Sequence, residues 1–322
     1  MVALFVLLGL AVMASLAVGA GELGVIDSLR VLMGQGGEEA SFVVWQLRLP
    51  RTLVGLVVGI ALGVSGTLLQ SMTRNPLAEP GLLGVSAGAA FAVALMLLAG
   101  GSLLQLRIGV AQLGALAGCL CVLGVSRIRG LGSDPIRLVL AGAAFSGLLG
   151  ALTSLILLTD RRAADEIRFW VVGSLSGRQL EDLLAVLPSM AIAGLALIVV
   201  VRPMASLALG ERASAGLGHH PGRLRLMAVL IVAVLVGGAT AVAGPIAFVG
   251  LVVPFVARAI AGPELRRTLW LCLPLGPLLV LTADVVSRRL VAPSEMPLGV
   301  LTALCGAPVL ISVVRARRLP SL

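Results

Sequence analysis

Ten long apolar runs, separated by short polar connections, constrain this chain more than any other feature of its sequence. They fall at about 2–20, 52–71, 82–100, 109–125, 138–158, 183–201, 226–244, 247–261, 269–287 and 298–314,. A helix of about 20 apolar residues crosses the hydrocarbon core of a bilayer. Backbone N–H and C=O groups find no water there, so such runs close their hydrogen bonds within helices. Only 12% of the residues are charged, about half the share in soluble domains, and the mean hydropathy is +1.10,. The expectation is an all-α polytopic membrane protein of about ten transmembrane helices, with residues 1–322 as a single transmembrane domain. The run at 247–261 is short and holds Pro254, which predicts a broken or tilted crossing,. Met1 to Ala20 has the small residues of a signal peptide near its end but no positive segment before it. It is expected to remain as a first helix,.

The net charge of +9 rests on 24 arginines and no lysine. Nucleic-acid binding accounts for it poorly. The arginines are spread between apolar runs, and three Trp, seven Phe and no Tyr provide no stacking platform,. The charge instead reports topology. With the N-terminus inside and ten crossings, 14 arginines fall on the inner side and ten on the outer, a mild bias in the sense of the positive-inside rule. Both termini are then cytoplasmic. Cys119, Cys121, Cys272 and Cys305 lie in apolar runs without metal-ligand spacing, which predicts neither a zinc site nor a disulfide framework,.

Few motifs carry chemistry. Gly84-Val85-Ser86-Ala87-Gly88 matches a GxSxG nucleophile pattern, but the only histidines, His219 and His220, fall in a connection predicted to be cytoplasmic,. Adjacent histidines without further ligands predict no metal site. No GxxxxGK[ST] phosphate loop, HExxH or acidic cation loop is present,. Energy for active transport must then come from a partner or from an ion gradient. Gradient-driven carriers place ionisable groups at membrane depth. Here only Asp284 qualifies, with Arg288 four residues on, and the two are readable as a structural pair or as a proton relay,. The stripes Gly55–Gly59–Gly63 and Gly84–Gly88 permit close helix packing, either within one subunit or at a dimer seam,.

Two charged places stand out. Arg48-Leu49-Pro50-Arg51 sets two guanidinium groups at the start of a helix, with Pro50 suited to its first turn,. Lipid phosphate or an acidic protein surface would suit them equally. The stretch from Arg202 to Arg225 is the longest polar connection on the predicted inner side. It fits two short helices about a glycine turn at Gly216 and Gly218,. It is either a solvated basic loop or a docking element.

Taken together, Arg48–Arg51, RNPLAEPGLLGVSAG at 74–88, LAG at 140–142, WVVG at 170–173, GPIAFVGLVVP at 244–254, Ala283-Asp284 and EMPLGVLTALCGAP at 295–308 resemble one family. It is the permease family of ABC importers for ferric siderophores, haem and vitamin B12. The resemblance runs from about residue 40 to the C-terminus, and the two longest stretches are specific to that family. It implies a ten-helix subunit of a homodimeric permease in the cytoplasmic (inner) membrane, with the path at the dimer interface. Two ATP-binding subunits would dock below and an extracytoplasmic substrate-binding protein above. The chain itself would be no enzyme and hold no cofactor, ATP and Mg residing on the partner ATPase.

The resemblance also implies roles for single residues. Arg48, Arg51 and Arg288 would dock the binding protein. Arg212, Gly218 and Arg223, within a coupling loop at about 203–225, would seat in the ATPase. Asn75, Leu77, Pro135 and Ile136 would form the cytoplasmic gate. Phe255 stands where the family commonly has His, and no role is expected of it. The implied function is import of an iron chelate, a ferric siderophore in first place, with haem or vitamin B12 as alternatives. A gradient-driven carrier is the reading from a different class.

Overall fold

The computed structural model describes residues 1–21, 23–101, 103–127, 135–208, 210–292 and 294–315. Among these the secondary structure is helical, with no strand. The helices are α1 (Val2–Ala17), α2 (Val25–Leu32), α3 (Glu38–Phe42), α4 (Leu49–Thr73), α5 (Val85–Leu98), α6 (Leu103–Arg127) and α7 (Pro135–Thr159). They continue as α8 (Arg161–Val171), α9 (Leu180–Ala208), α10 (Glu211–Gly216), α11 (Pro221–Ala243), α12 (Val249–Ala261), α13 (Leu265–Leu290) and α14 (Leu298–Arg315). Every apolar run of the sequence falls on one of them. Among the described residues six helical stretches are long and apolar enough to cross a membrane, and α1, α5, α12 and part of α14 are shorter apolar helices.

The sequence places the start of the second run at residue 52, but the helix begins earlier. Glu38–Thr73 is one 36-residue helical stretch in which a π turn, Val43–Arg48, joins α3 to α4. The cause is Pro50, which offers no N–H to the ladder and crowds the carbonyl four residues back. The wider π turn absorbs the missing bond without ending the helix. Pro254 likewise sits inside α12 rather than breaking it. The 13 residues of α12 span about 20 Å, less than the ~30 Å of a bilayer core,.

Burial separates inner from outer helices. In α4 and α11 78% of the apolar window is buried, against 22% in α7 and α9. The glycine stripe explains why α4 can sit at the centre. Gly55 lies against Leu281, Gly59 against Gly276 and Pro277, and Gly63 against Val253 and Cys272, so the stripe packs on α13 and α12 of the same subunit. Gly66 meets the Gly250 backbone in the same way, while Gly88 packs on Gly114 and Gly118 of α6. Without side chains between them the backbones close to direct contact, which in lipid supplies the packing that water would otherwise drive. Both glycine stripes are therefore intrasubunit packing surfaces.

Candidate functional site

At one end of the bundle two arginines, Arg48 and Arg288, converge on the C-terminus of α1. The last carbonyls of a helix have no intrahelical donors, and the dipole makes that end electronegative. Arg48 Nη1 donates to Leu16 O at 3.0 Å and Ala17 O at 2.8 Å, and also to Ser28 Oγ at 2.7 Å. Arg288 Nη1 donates to Ser15 O and Val18 O, both at 2.8 Å. Ser15 Oγ also lies 2.8 Å from Thr52 Oγ1 of α4. Gly19 leaves room for the Arg48 guanidinium, which a side chain there would strike. Two cations thus cap α1 and tie it to α4 and α13.

Arg51 completes the cluster. Its Nη2 donates to Asp284 Oδ1 at 2.7 Å, and its Nη1 reaches both oxygens of Glu295 at 2.8–2.9 Å. Arg288 Nε donates to Asp284 Oδ2 at 3.0 Å, and its Nη2 contacts the same oxygen. Asp284 therefore bridges two arginines. The pairing with Arg288 is visible in the sequence as an i,i+4 spacing; the pairing with Arg51 joins positions 233 apart and is not. Arg48, Arg51, Asp284 and Arg288 are 5%, 8%, 1% and 1% exposed, so their charges are spent within the subunit. Beside the cluster lies an open cavity of about 1650 Å³ whose wall includes Arg178, Glu181 and Glu295.

At the opposite end, the connection after α4 is a built turn. Arg74 takes the left-handed conformation (φ 50) that stops the helix, and its guanidinium contacts Leu207 O at the end of α9. Asn75 Oδ1 accepts the Leu77 N–H at 2.9 Å, an Asx turn,. Glu79 Oε1 accepts the Phe248 N–H at 2.8 Å, where α12 starts from a left-handed Phe248 (φ 67). Burial pushes the Glu79 carboxyl above its ordinary range, opposed by that N–H. One loop thereby joins the ends of α4 and α9 to the start of α12. Asn75 and Leu77 are half-buried in it. Pro135 and Ile136 stand in the first turn of α7, and their side chains lie outside the described residues.

The connection from α9 to α11 contains the glycine turn its sequence predicts, but one short helix, α10, rather than two, since Pro221 starts the long α11 directly after the turn,. His219 N–H donates to Ser214 O at 3.1 Å and Gly218 N–H to Ala215 O at 3.0 Å, the paired bonds of a Schellman cap,. Gly218 has φ 80, a conformation in which a Cβ is strained,. Ser206 Oγ and Ser214 Oγ, 2.8 Å apart, fold α10 back on α9. Gly218, His219 and Arg223 border an open hollow of about 630 Å³. Arg212 lies in α10, but its side chain is outside the described residues.

Sequence reasoning passed over a third polar contact. Arg258 of α12 donates to Gln70 of α4, both buried, and Gln70 Nε2 approaches Gly250 O, the carbonyl that Pro254 leaves without its helical donor,. A polar residue inside each of two apolar runs is the signal that marks them. Among the described residues no hydrogen bond joins Ser86 to a histidine, and no cluster of three His, Cys, Asp or Glu side chains could hold a metal.

Comparison with known proteins gives a consistent result. The profile of the FecCD transport family matches residues 7–316. The chain is 42% identical to the ferric enterobactin transport system permease protein FepD of Escherichia coli (strain K12), over 98% of its own length and 94% of that protein's. It is 38% identical to the hemin transport system permease protein HmuU of Yersinia pestis, over 94% and 92%. A solved structure of an inward-facing, metal-chelate-type ABC transporter aligns over 98% of both chains, with a TM-score of 0.84 and 30% identity.

Proposed function

The chain belongs to the FecCD transport family, and from that premise we propose that it is the membrane-spanning permease subunit of an ATP-driven importer for a ferric siderophore. The observation that carries the reading is the match along residues 7–316, joined to 42% identity with a ferric enterobactin permease. Haem is the second cargo, favoured by the 38% identity with a hemin permease. Vitamin B12 is third, since a cobalamin permease of Halobacterium salinarum is 34% identical over 88% of the chain.

The proposed subunit is a single transmembrane domain. It crosses the inner membrane ten times, using the six long spans and four shorter apolar helices, with both termini cytoplasmic. Two copies enclose the path. The chain has no phosphate-binding loop, so ATP and Mg belong to two partner ATPases,. Their closure pushes on α10 and the Gly218 turn, with Arg212 and Arg223 as flanking contacts. The α9–Arg74–Glu79–α12 linkage then carries the push towards Asn75, Leu77, Pro135 and Ile136, the proposed gate. This is a rigid-body switch between two packings.

A substrate-binding protein docks on the opposite face, around the large cavity. There Arg48, Arg51 and Arg288 shape the docking surface from within. A direct salt bridge to the partner would require Arg51 to exchange Glu295 for a partner carboxylate.

Uptake of a labelled ferric siderophore, with unlabelled haem and cobalamin as competitors, tests the cargo. Uptake lost on deletion of the gene and untouched by either competitor is the expected result. Uptake unchanged by deletion removes siderophore import. The coupling role is tested at Gly218. Gly218→Leu forces a side chain into the left-handed region at about 1–2 kcal/mol. It is expected to lower transport about tenfold in an assembled complex whose subunits remain bound, and unaltered transport refutes the assignment.

A further inference from the structure

A groove of about 840 Å³ runs along the outside of the bundle between α4, α9, α11 and α13. It exists because α9 and α13 both pack on α4 while scarcely meeting each other. Its walls are mostly apolar, with Ile198, Val199 and Trp270 at 68%, 71% and 56% exposure. From Leu187 to Arg202 the α9 wall rises about 22 Å, more than the ~15 Å of one bilayer leaflet,. Gly194 opens the middle of that wall, with no atom within 4 Å of where a Cβ would stand.

One end of the groove is different. Arg202, near the end of α9, and Arg266, in the first turn of α13, are its only charged lining residues among those described. Both are exposed, and neither has an ion-pair partner among the described residues. Arg267, by contrast, is paired with Glu264 at 2.5 Å. Trp270 lies one turn beyond Arg266, the position that an indole takes where headgroups meet acyl chains. Two unpaired cations above a long apolar trough match a phosphate above acyl chains.

We propose that this groove binds an anionic phospholipid, its phosphate held by Arg202 and Arg266 and an acyl chain lying along α9 past Gly194. A second copy of the chain fits poorly. A two-fold axis here would gather four arginines with no acid among the lining residues,. The site is independent of the transported cargo.

The test is competitive lipid binding to the purified full-length chain, with phosphatidylglycerol and phosphatidylcholine in equal amounts, read by native mass spectrometry. Phosphatidylglycerol should be retained in preference. Arg202→Gln with Arg266→Gln should weaken its retention about thirtyfold, the product of two basic contacts at a membrane surface. Arg202→Lys with Arg266→Lys should keep most of it. Gly194→Phe should displace both lipids by filling the trough without strain. Equal retention of the two lipids, or a preference that survives loss of both arginines, overturns the proposal. A shift in oligomeric state with Gly194→Phe also overturns it, by placing a second copy in the groove.

Discussion

Asp284→Ala is expected to cost the folded subunit about 3–5 kcal/mol, because it leaves two buried guanidinium groups without their shared carboxylate,. Arg288 would retain only hydroxyl and carbonyl acceptors from α1, and Arg51 only Glu295. Neither can shed its charge by deprotonation. Thermal unfolding of the purified subunit in detergent measures the loss, and a midpoint within 2 °C of the parent would refute it. Asp284→Asn keeps the shape and removes the charge, so it should be nearly as damaging. The same assay separates two roles for the arginines. If Arg51 serves the fold, Arg51→Glu lowers stability without any binding protein present. If it serves docking alone, the subunit is unaffected and only its response to the binding protein is lost.

Gly59→Ala is expected to destabilise by about 1–3 kcal/mol, the usual cost of overpacking a close-fitted core, and Gly59→Leu by more. A Cβ at this position would lie 2.5 Å from the Pro277 nitrogen and 2.6 Å from the Gly276 carbonyl carbon. Those atoms are backbone of α13 and cannot turn aside, so the two helices must part. Gly63→Ala is the control from the same stripe. Its new methyl would meet the tip of Val253 at 3.0 Å, a side chain that can rotate, and the cost should be clearly smaller. Equal midpoints for the two alanine variants would show that α13 yields at Gly276.

Much of this molecule was legible in the order of its residues. Membrane helices must satisfy their own backbone, so each apolar run had to become a helix, and each did. The glycine turn after α10 was readable because glycine takes the left-handed backbone of a Schellman cap without the steric cost a Cβ brings,. The amphipathic helix α8 escaped notice. Two large apolar residues, Ile167 and Trp170, bury its face, too few to register as an apolar run. The π turn before α4 escaped as well, since Pro50 reads as a helix start and only the upstream packing shows the helix passing through it.

Residue order is enough to establish a helical membrane protein, the position of its apolar helices and, through long specific stretches such as RNPLAEPGLLGVSAG, its family. What the charged side chains touch depends on how the helices pack. Arg48 and Arg51 read along the chain as free cations at a helix start, fit for any acidic partner, and Arg288 shows only its i,i+4 neighbour Asp284. In three dimensions Asp284, Glu295 and the carbonyls of α1 reach them first, and desolvation makes those internal partners obligatory,. Charge can be counted along a sequence; the acceptor that neutralises it is chosen by the packing of segments far apart in the chain.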